Sequence, residues 1–286
     1  MVDTKNRILT TYMESSFEMN QSVDTARPWA LITGASGGIG RHYSIALARD
    51  YDYNLYLVSN QQKELADLAL EMRDTYHVQT ESLCLNMAAP DAAEHIYEYA
   101  QKRNLEVEVL INNAGMLIFN PFCETPLGKI ETLLMLHMIA LTKLTHLFGC
   151  DMRARRKGYI LNMSSMSAWM AMPGIQCYNA TKAYVLSFSK ALHYELRPFG
   201  VHVLALTPGS TDTGLLPFGD RFAAILRAVG ITMPPARLVR RGLRVLFCSR
   251  RRKRCMPGAW NYIIVPIINH LPDWVVMRAM KIIGYY

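Results

Sequence analysis

Several things are scarce in this chain. Its six cysteines (Cys84, Cys123, Cys150, Cys177, Cys248, Cys255) are scattered over 286 residues, with no Cys-x-x-Cys and no His/Cys cluster. That spacing excludes a disulfide framework and a zinc site, no metal is expected, and the thiols point to a reducing compartment. The N-terminus lacks the basic start and apolar run of a secretion signal. No stretch reaches about 18 apolar residues without interruption, so the expectation is a cytoplasmic, soluble chain, at most peripheral to a membrane. There is no internal repeat, no low-complexity segment and no linker that would divide the chain. Acids are absent from one long window: Arg221 to Arg254 holds eleven Arg or Lys and no Asp or Glu, so with a net charge of +8 the remainder carries −3. The basic character is local, and no nucleic-acid partner is expected.

Apolar residues are plentiful. At 51% hydrophobic the chain can bury a large core, and an α/β fold of this length is commonly one domain. Residues 1–28 are polar, mixed in charge and without period, and read as an extension before the fold. Trp29 to Thr33 then forms an apolar run that leads into Gly34-Ala-Ser-Gly-Gly-Ile-Gly40 and a helical pattern through Tyr43, Ile45 and Leu47. A strand, a glycine turn and a helix start make a phosphate site. Glycines let the backbone approach a pyrophosphate, while free N–H groups and the helix dipole attract it.

The alternation continues. Asn54 to Ser59 reads as strand, Lys63 to Tyr76 as helix, Gln79 to Leu85 as strand, Pro90 to Arg103 as helix and Val107 to Ile111 as strand. Thr125-Pro126 opens a long helical pattern to about Arg156, rich in Met and Leu. Gly158 to Met163 is strand, Tyr178 to Pro198 helix and Val201 to Leu206 strand. Strands alternating with helices imply a Rossmann-type doubly wound parallel sheet, with ligands at the carboxyl ends of the strands. We place this domain at 29–254, with an apolar tail at 255–286.

Tyr178 and Lys182, four apart, lie one turn apart on a helix face. An ammonium beside a phenol favours the phenolate and moves its pKa from about 10 toward the operating pH, where it can exchange protons. Fifteen Tyr and ten Lys in 286 residues give roughly half of one such pair by chance, so its company decides its meaning.

That company resembles the short-chain dehydrogenase/reductase family, in its short single-domain branch, from about Trp29 to Thr213. Four motifs agree in order and spacing: Thr33-Gly-Ala-Ser-Gly-Gly-Ile-Gly40, Asn112-Asn-Ala-Gly115, Ser165 thirteen residues before Tyr178 with Lys182, and Pro208-Gly209 with Thr213 beyond. The glycine spacing by itself also fits the longer epimerase-like branch; chain length and the Asn-Asn-Ala-Gly stretch favour the short one. The resemblance implies that Tyr178 exchanges a proton with the substrate oxygen while hydride moves to or from nicotinamide. Lys182 would hold the ribose and lower the Tyr pKa, and Ser165 would hydrogen-bond the carbonyl. It also implies a cofactor site of Gly34, Ser36, Gly38, Ile39, Gly40, Arg41, Asn60, Asn86, Asn113, Ala114, Gly115, Tyr178, Lys182, Pro208, Gly209, Thr211 and Thr213.

Three positions depart from the family pattern. His137 stands where an Asn is usual, an Asn thought to anchor a water that passes protons to the lysine; an imidazole can also donate and accept, and a satisfied core histidine is the plain alternative. Asn86 replaces an Asp near the adenine. Asn60 replaces the acid that selects NAD, and with Arg41 and Lys63 nearby this favours NADP(H) over NAD(H). The implied activity is interconversion of a hydroxyl and a ketone on an apolar small molecule, and the C-terminal part resembles steroid dehydrogenases and long-chain 3-oxoacyl reductases. A nucleotide-binding regulatory or assembly protein of the same fold is the alternative. The family usually pairs subunits through helices near 126–156 and 178–198, which implies a homodimer or tetramer. Finally, Arg237, Arg240, Arg241 and Arg244 fall on one face of a helix opened by Pro235, followed by Arg250 to Arg254 and the apolar tail, a pattern suited to an anionic membrane surface. The alternatives are a tail that covers the substrate cleft or a dimer seam with the arginines a solvated face, or an acidic carrier protein or CoA phosphate met by the same charges.

Overall fold

In a computed structural model, residues 27–209, 233–258 and 261–282 are described. The readings for residues 1–26, Thr211 and Thr213 fall outside them. Seven strands form one parallel sheet: β1 (Trp29–Thr33), β2 (Asn54–Ser59), β3 (Thr80–Cys84), β4 (Val107–Asn112), β5 (Gly158–Met163), β6 (Val201–Leu206) and β7 (Arg254–Cys255), in the order β3-β2-β1-β4-β5-β6-β7. β1 pairs with both β2 and β4, so the strand order reverses there and opens a crevice at their carboxyl ends.

Helices cover both faces, which is why the central strands are apolar at consecutive positions rather than alternate ones. Ala30 and Ile32 of β1, with Leu55 and Leu57 of β2, pack under α1 (Gly38–Tyr51) and α2 (Gln62–Tyr76). Leu31, Tyr56 and Val58 face the opposite way, toward α3 (Ala92–Lys102), α4 (residues 127–155) and α5 (Gln176–Leu196). The first face is completed by α6 (Pro235–Cys248), which buries Leu238, Val239, Leu243 and Leu246 and leaves Arg237, Arg240, Arg241 and Arg244 exposed, as their spacing predicts.

Two boundaries differ from the sequence reading. Arg254 pairs with Ala205 and Cys255 with Leu206, so a division between 254 and 255 cuts a strand. The paired backbone of β7, not composition, sets that limit. At the other end, Arg27 ion-pairs with Asp52 and the Pro28 carbonyl accepts from Asn54 N–H, so the fold begins before Trp29. The long helix α4 is also uneven. Its middle six residues, Met135–Ala140, are π-helical, and that wider turn carries His137 and Ala140 into the core. By length and composition α4 could cross a membrane; here Leu144, Phe148 and Met152 pack it on the sheet. Beyond β7 lie α7 (Asn261–Asn269), interrupted by Pro266, and α8 (Asp273–Ile282).

Candidate active site

The turn after β1 is shaped for close backbone approach. Gly34 sits at φ +64°, and a Cβ on Gly40 would lie 2.0 Å from the Gly34 carbonyl oxygen, so no other residue fits there. Gly37 caps α1 in extended backbone without any side-chain hydrogen bond, and the first turn holds no acid. Its unpartnered N–H groups and positive dipole end suit a pyrophosphate, and the space beside Gly37 is open. The residues present therefore fit a dinucleotide.

Asn113 holds this turn in place. Its Nδ2 donates to the carbonyls of Thr33 and Gly34 at 3.0 and 3.2 Å, while Thr33 Oγ1 accepts from the backbone N–H of Asn113 and Ala114. Thus Asn113 ties the ends of β4 and β1 together. At the end of β2, Ser36 Oγ hydrogen-bonds Ser59 Oγ and donates to Gln61 Oε1, and Asn60 is exposed. Arg41 forms an ion pair with Glu71 of α2, a partner that the sequence reading of Arg41 did not include. Asn86 is exposed and closes its own turn, its Oδ1 accepting from Ala88 N–H.

Ser165, Tyr178 and Lys182 come together where β5 ends and α5 begins. Ser165 is extended, and its Oγ accepts from Ser167 N–H at 3.1 Å. Lys182 is buried beneath the Tyr178 ring, with Nζ 5.4 Å from the ring centroid, and donates to the Met163 carbonyl at 2.9 Å. Burial pushes the Lys182 ammonium down to about 8. The Tyr178 hydroxyl departs from expectation: burial raises its pKa, and the hydrogen bond with Ser165, rather than the lysine, pulls the other way. The reason is geometric, since Nζ sits over the ring and is held by a backbone carbonyl. Ser164 Oγ donates to the Lys182 carbonyl at 2.8 Å, fixing α5 against β5.

Sequence reasoning missed a buried polar chain behind this group. Asn112 Nδ2 donates to Thr145 Oγ1 and to Asn162 Oδ1, and Asn162 Nδ2 donates to Ser189 Oγ. It links β4, α4, β5 and α5 at the level of the site. Only the Asn-Asn-Ala-Gly stretch hinted at it, because the partners are set by strand pairing.

His137 is 1% exposed, with both ring nitrogens engaged. Met116 N–H donates to Nε2 at 3.0 Å, which makes Nε2 an acceptor and leaves the proton on Nδ1. Nδ1 then donates to Thr181 Oγ1 at 3.0 Å, and Thr181 donates in turn to the Tyr178 carbonyl at 2.8 Å. Burial, with the Lys182 charge nearby, holds its pKa well below 6.5. This neutral imidazole braces α4, the segment after Gly115, and α5; a relay would need a nitrogen to be released first.

The far wall comes from later in the chain. The Pro208 carbonyl accepts from Met166 N–H, and a Cβ on Gly209 would meet the buried Asn261 side chain at 2.6 Å. Val265 of α7 packs with Met170 and Met256, against Met166, Trp169 and Met172. A small groove at the start of α5 is lined by Ile118, Phe122, Ile130, Ile175 and Cys177, among others.

A family profile described as short chain dehydrogenase matches residues 28–218. The chain belongs to that family. Among curated relatives, mouse 17-beta-hydroxysteroid dehydrogenase type 3 is 36% identical over 247 residues, covering 86% of this chain and 76% of that one. The very-long-chain 3-oxoacyl-CoA reductase of Phaeosphaeria nodorum is 37% identical over 179 residues, covering 61% of this chain and 52% of the relative, so the match spans about half of that protein. Among solved structures, a short-chain dehydrogenase from Sphingobium yanoikuyae in complex with NADPH is 30% identical, with a TM-score of 0.71 over 86% of this chain and 97% of that one. A 7beta-hydroxysteroid dehydrogenase is 25% identical with a TM-score of 0.78, covering 89% and 96%. This short-chain dehydrogenase thus shares its fold with oxidoreductases named for steroid and oxoacyl substrates.

Proposed function

We propose that the chain interconverts a hydroxyl and a ketone on an apolar, steroid- or 3-oxoacyl-like substrate, using NADP(H). The convergence of Ser165, Tyr178 and Lys182 beside the uncapped glycine turn carries this reading. Nicotinamide, when bound, supplies or accepts the hydride. The chain's own work is protonic and positional. Ser165 Oγ hydrogen-bonds the substrate oxygen and orients it, and the Tyr178 hydroxyl gives that oxygen a proton in reduction or takes one in oxidation. Lys182 binds the ribose hydroxyls and keeps positive charge beneath the phenol. The methionine-lined wall and the apolar groove at Ile175 favour an apolar body. Asn60 presents no carboxylate to repel a 2′-phosphate, exposed Lys63 supplies charge for it, and Arg41 adds its own once it exchanges Glu71 for the phosphate.

Exposed Leu127, Leu134, Ile139 and Tyr194 on α4 and α5 support pairing of subunits through these helices, as a dimer or tetramer detectable by sedimentation. The activity is tested by titrating NADPH fluorescence and then following its oxidation with a panel of steroid ketones and long-chain 3-oxoacyl-CoA thioesters. Tight NADPH binding with turnover on one class is the expected outcome. Binding without any turnover would replace this reading with that of a nucleotide-binding regulatory protein. A higher kcat/KM with NADH than with NADPH would overturn the cofactor assignment.

A further inference from the structure

The tail does not bury what its composition offers. On α7, Asn261 and Val265, four apart, are buried, while Tyr262, Ile263 and Ile267 are each more than half exposed on the other side. On α8, Trp274 is 68% exposed and Met277 55%, with exposed Arg278 and Lys281 at the spacing that shares their face. Single exposed apolar residues are ordinary; five large ones on two consecutive short helices mark a surface with a partner.

Charge identifies the partner. From 250 to 282 there are seven basic residues and one acid, Asp273. Arg250, Arg251, Arg252 and Arg254 are exposed, and among the described residues no ion pair engages Arg250 to Arg254. Arg254 lies 5.5 Å over the Trp169 ring, on the same turn, Met166–Trp169, that α7 packs against. The cationic strand end and α7 are therefore neighbours, and α8 follows α7 after a three-residue turn. At about 1.5 Å per residue, helices of nine and ten residues are too short to span a bilayer about 30 Å thick. They suit its boundary, where apolar side chains enter the acyl edge, Trp and Tyr sit at headgroup level and basic groups meet lipid phosphates.

We propose that α7, α8 and the Arg250–Arg254 cluster form a docking face for an anionic phospholipid surface. Docking there brings the membrane to the methionine wall behind Ser165, so an apolar ketone dissolved in lipid reaches the site without crossing water. The use of the face rests on the apolar-substrate reading above, but lipid binding is measured without turnover, so the two can fail separately.

The test is co-sedimentation of the full chain with vesicles of phosphatidylcholine alone or with about 30 mol% phosphatidylserine. Binding is expected to the anionic vesicles only, and to be lost in about 0.5 M salt. Replacing Arg250, Arg251, Arg252, Lys253 and Arg254 together by Gln should weaken it at least about a hundredfold. Ile263→Ser with Trp274→Ser should weaken it at least about tenfold, with reduction of a small water-soluble ketone unchanged. No sedimentation with anionic vesicles at low salt would overturn the proposal. So would binding indifferent to the two serine substitutions, or a lipid-free dimer that those substitutions dissociate, which would assign the face to a subunit seam.

Discussion

Between Trp29 and Leu206 the strands β1, β2, β4 and β6 hide nearly every side chain, whereas α7 and α8 leave most of their described side chains in solvent. Both regions are rich in apolar residues, Val and Ile among them. The difference is what surrounds them: strands enclosed by two helical layers find apolar neighbours on both sides, and the tail helices find them on one side only. Hydrophobicity alone therefore does not say whether a segment is core or interface. The sheet's ends, in turn, hold the candidate reacting groups with buried hydrogen bonds, and the tail supplies a wall.

The sharpest way to break this contrast is at the phenol. Tyr178→Phe should lower kcat by about 10²- to 10⁴-fold, with NADPH affinity by fluorescence nearly unchanged because Lys182 and the glycine turn remain; a variant keeping more than about a tenth of the wild-type rate would refute the role of Tyr178. Next comes the glycine turn. Gly40→Ala drives a Cβ into the Gly34 carbonyl and should abolish NADPH binding or cost more than about 4 kcal/mol of stability, while Gly37→Ala meets nothing within 4 Å and should stay within about 1 kcal/mol of wild type. Equal losses of stability in thermal melts would contradict that geometry.

His137→Phe leaves Met116 N–H without its acceptor, at about 1–3 kcal/mol, and leaves Thr181 Oγ1 only its bond to the Tyr178 carbonyl; His137→Asn should recover part of this. Because the folded pKa of His137 is depressed, the unfolded chain binds the extra proton as pH falls through about 6.5, so its contribution to stability is complete above that value and declines below it. Melts at pH 7.5 and 5.5 should show a smaller pH dependence in His137→Asn than in wild type. An unchanged difference would mean that the imidazole is not held neutral. The mildest change is on α6: Arg240→Gln with Arg244→Gln removes exposed charge from the outer face and should shift stability by no more than about 0.5 kcal/mol per site, whereas Leu243→Ala in the same helix should cost about 2–5 kcal/mol.

The order of strands and helices, the glycine turn and the spacing of Ser165, Tyr178 and Lys182 were legible because each is carried by local signals: hydrophobic period, turn chemistry and helical repeat. The α6 face was legible for the same reason. Less legible were the members of the site that act through distant partners. Asn162, Ser189 and Thr181 look like ordinary polar residues until parallel pairing and helix packing put them within 3.0 Å of Asn112, Asn162 and His137. The π-helical turn at Met135–Ala140 was likewise hidden inside a continuous helical pattern, because one extra residue in a turn barely disturbs the period.

What the sequence by itself determined is the doubly wound fold, its family and the positions of the candidate reacting groups, since periodicity and motif spacing are properties of the chain. Tertiary structure alone decided that Arg254 and Cys255 are a strand, that Arg41 meets Glu71, that His137 is a neutral brace, and that the Lys182 ammonium is held by the Met163 carbonyl. Each of those depends on which groups, far apart in sequence, exclude water from one another.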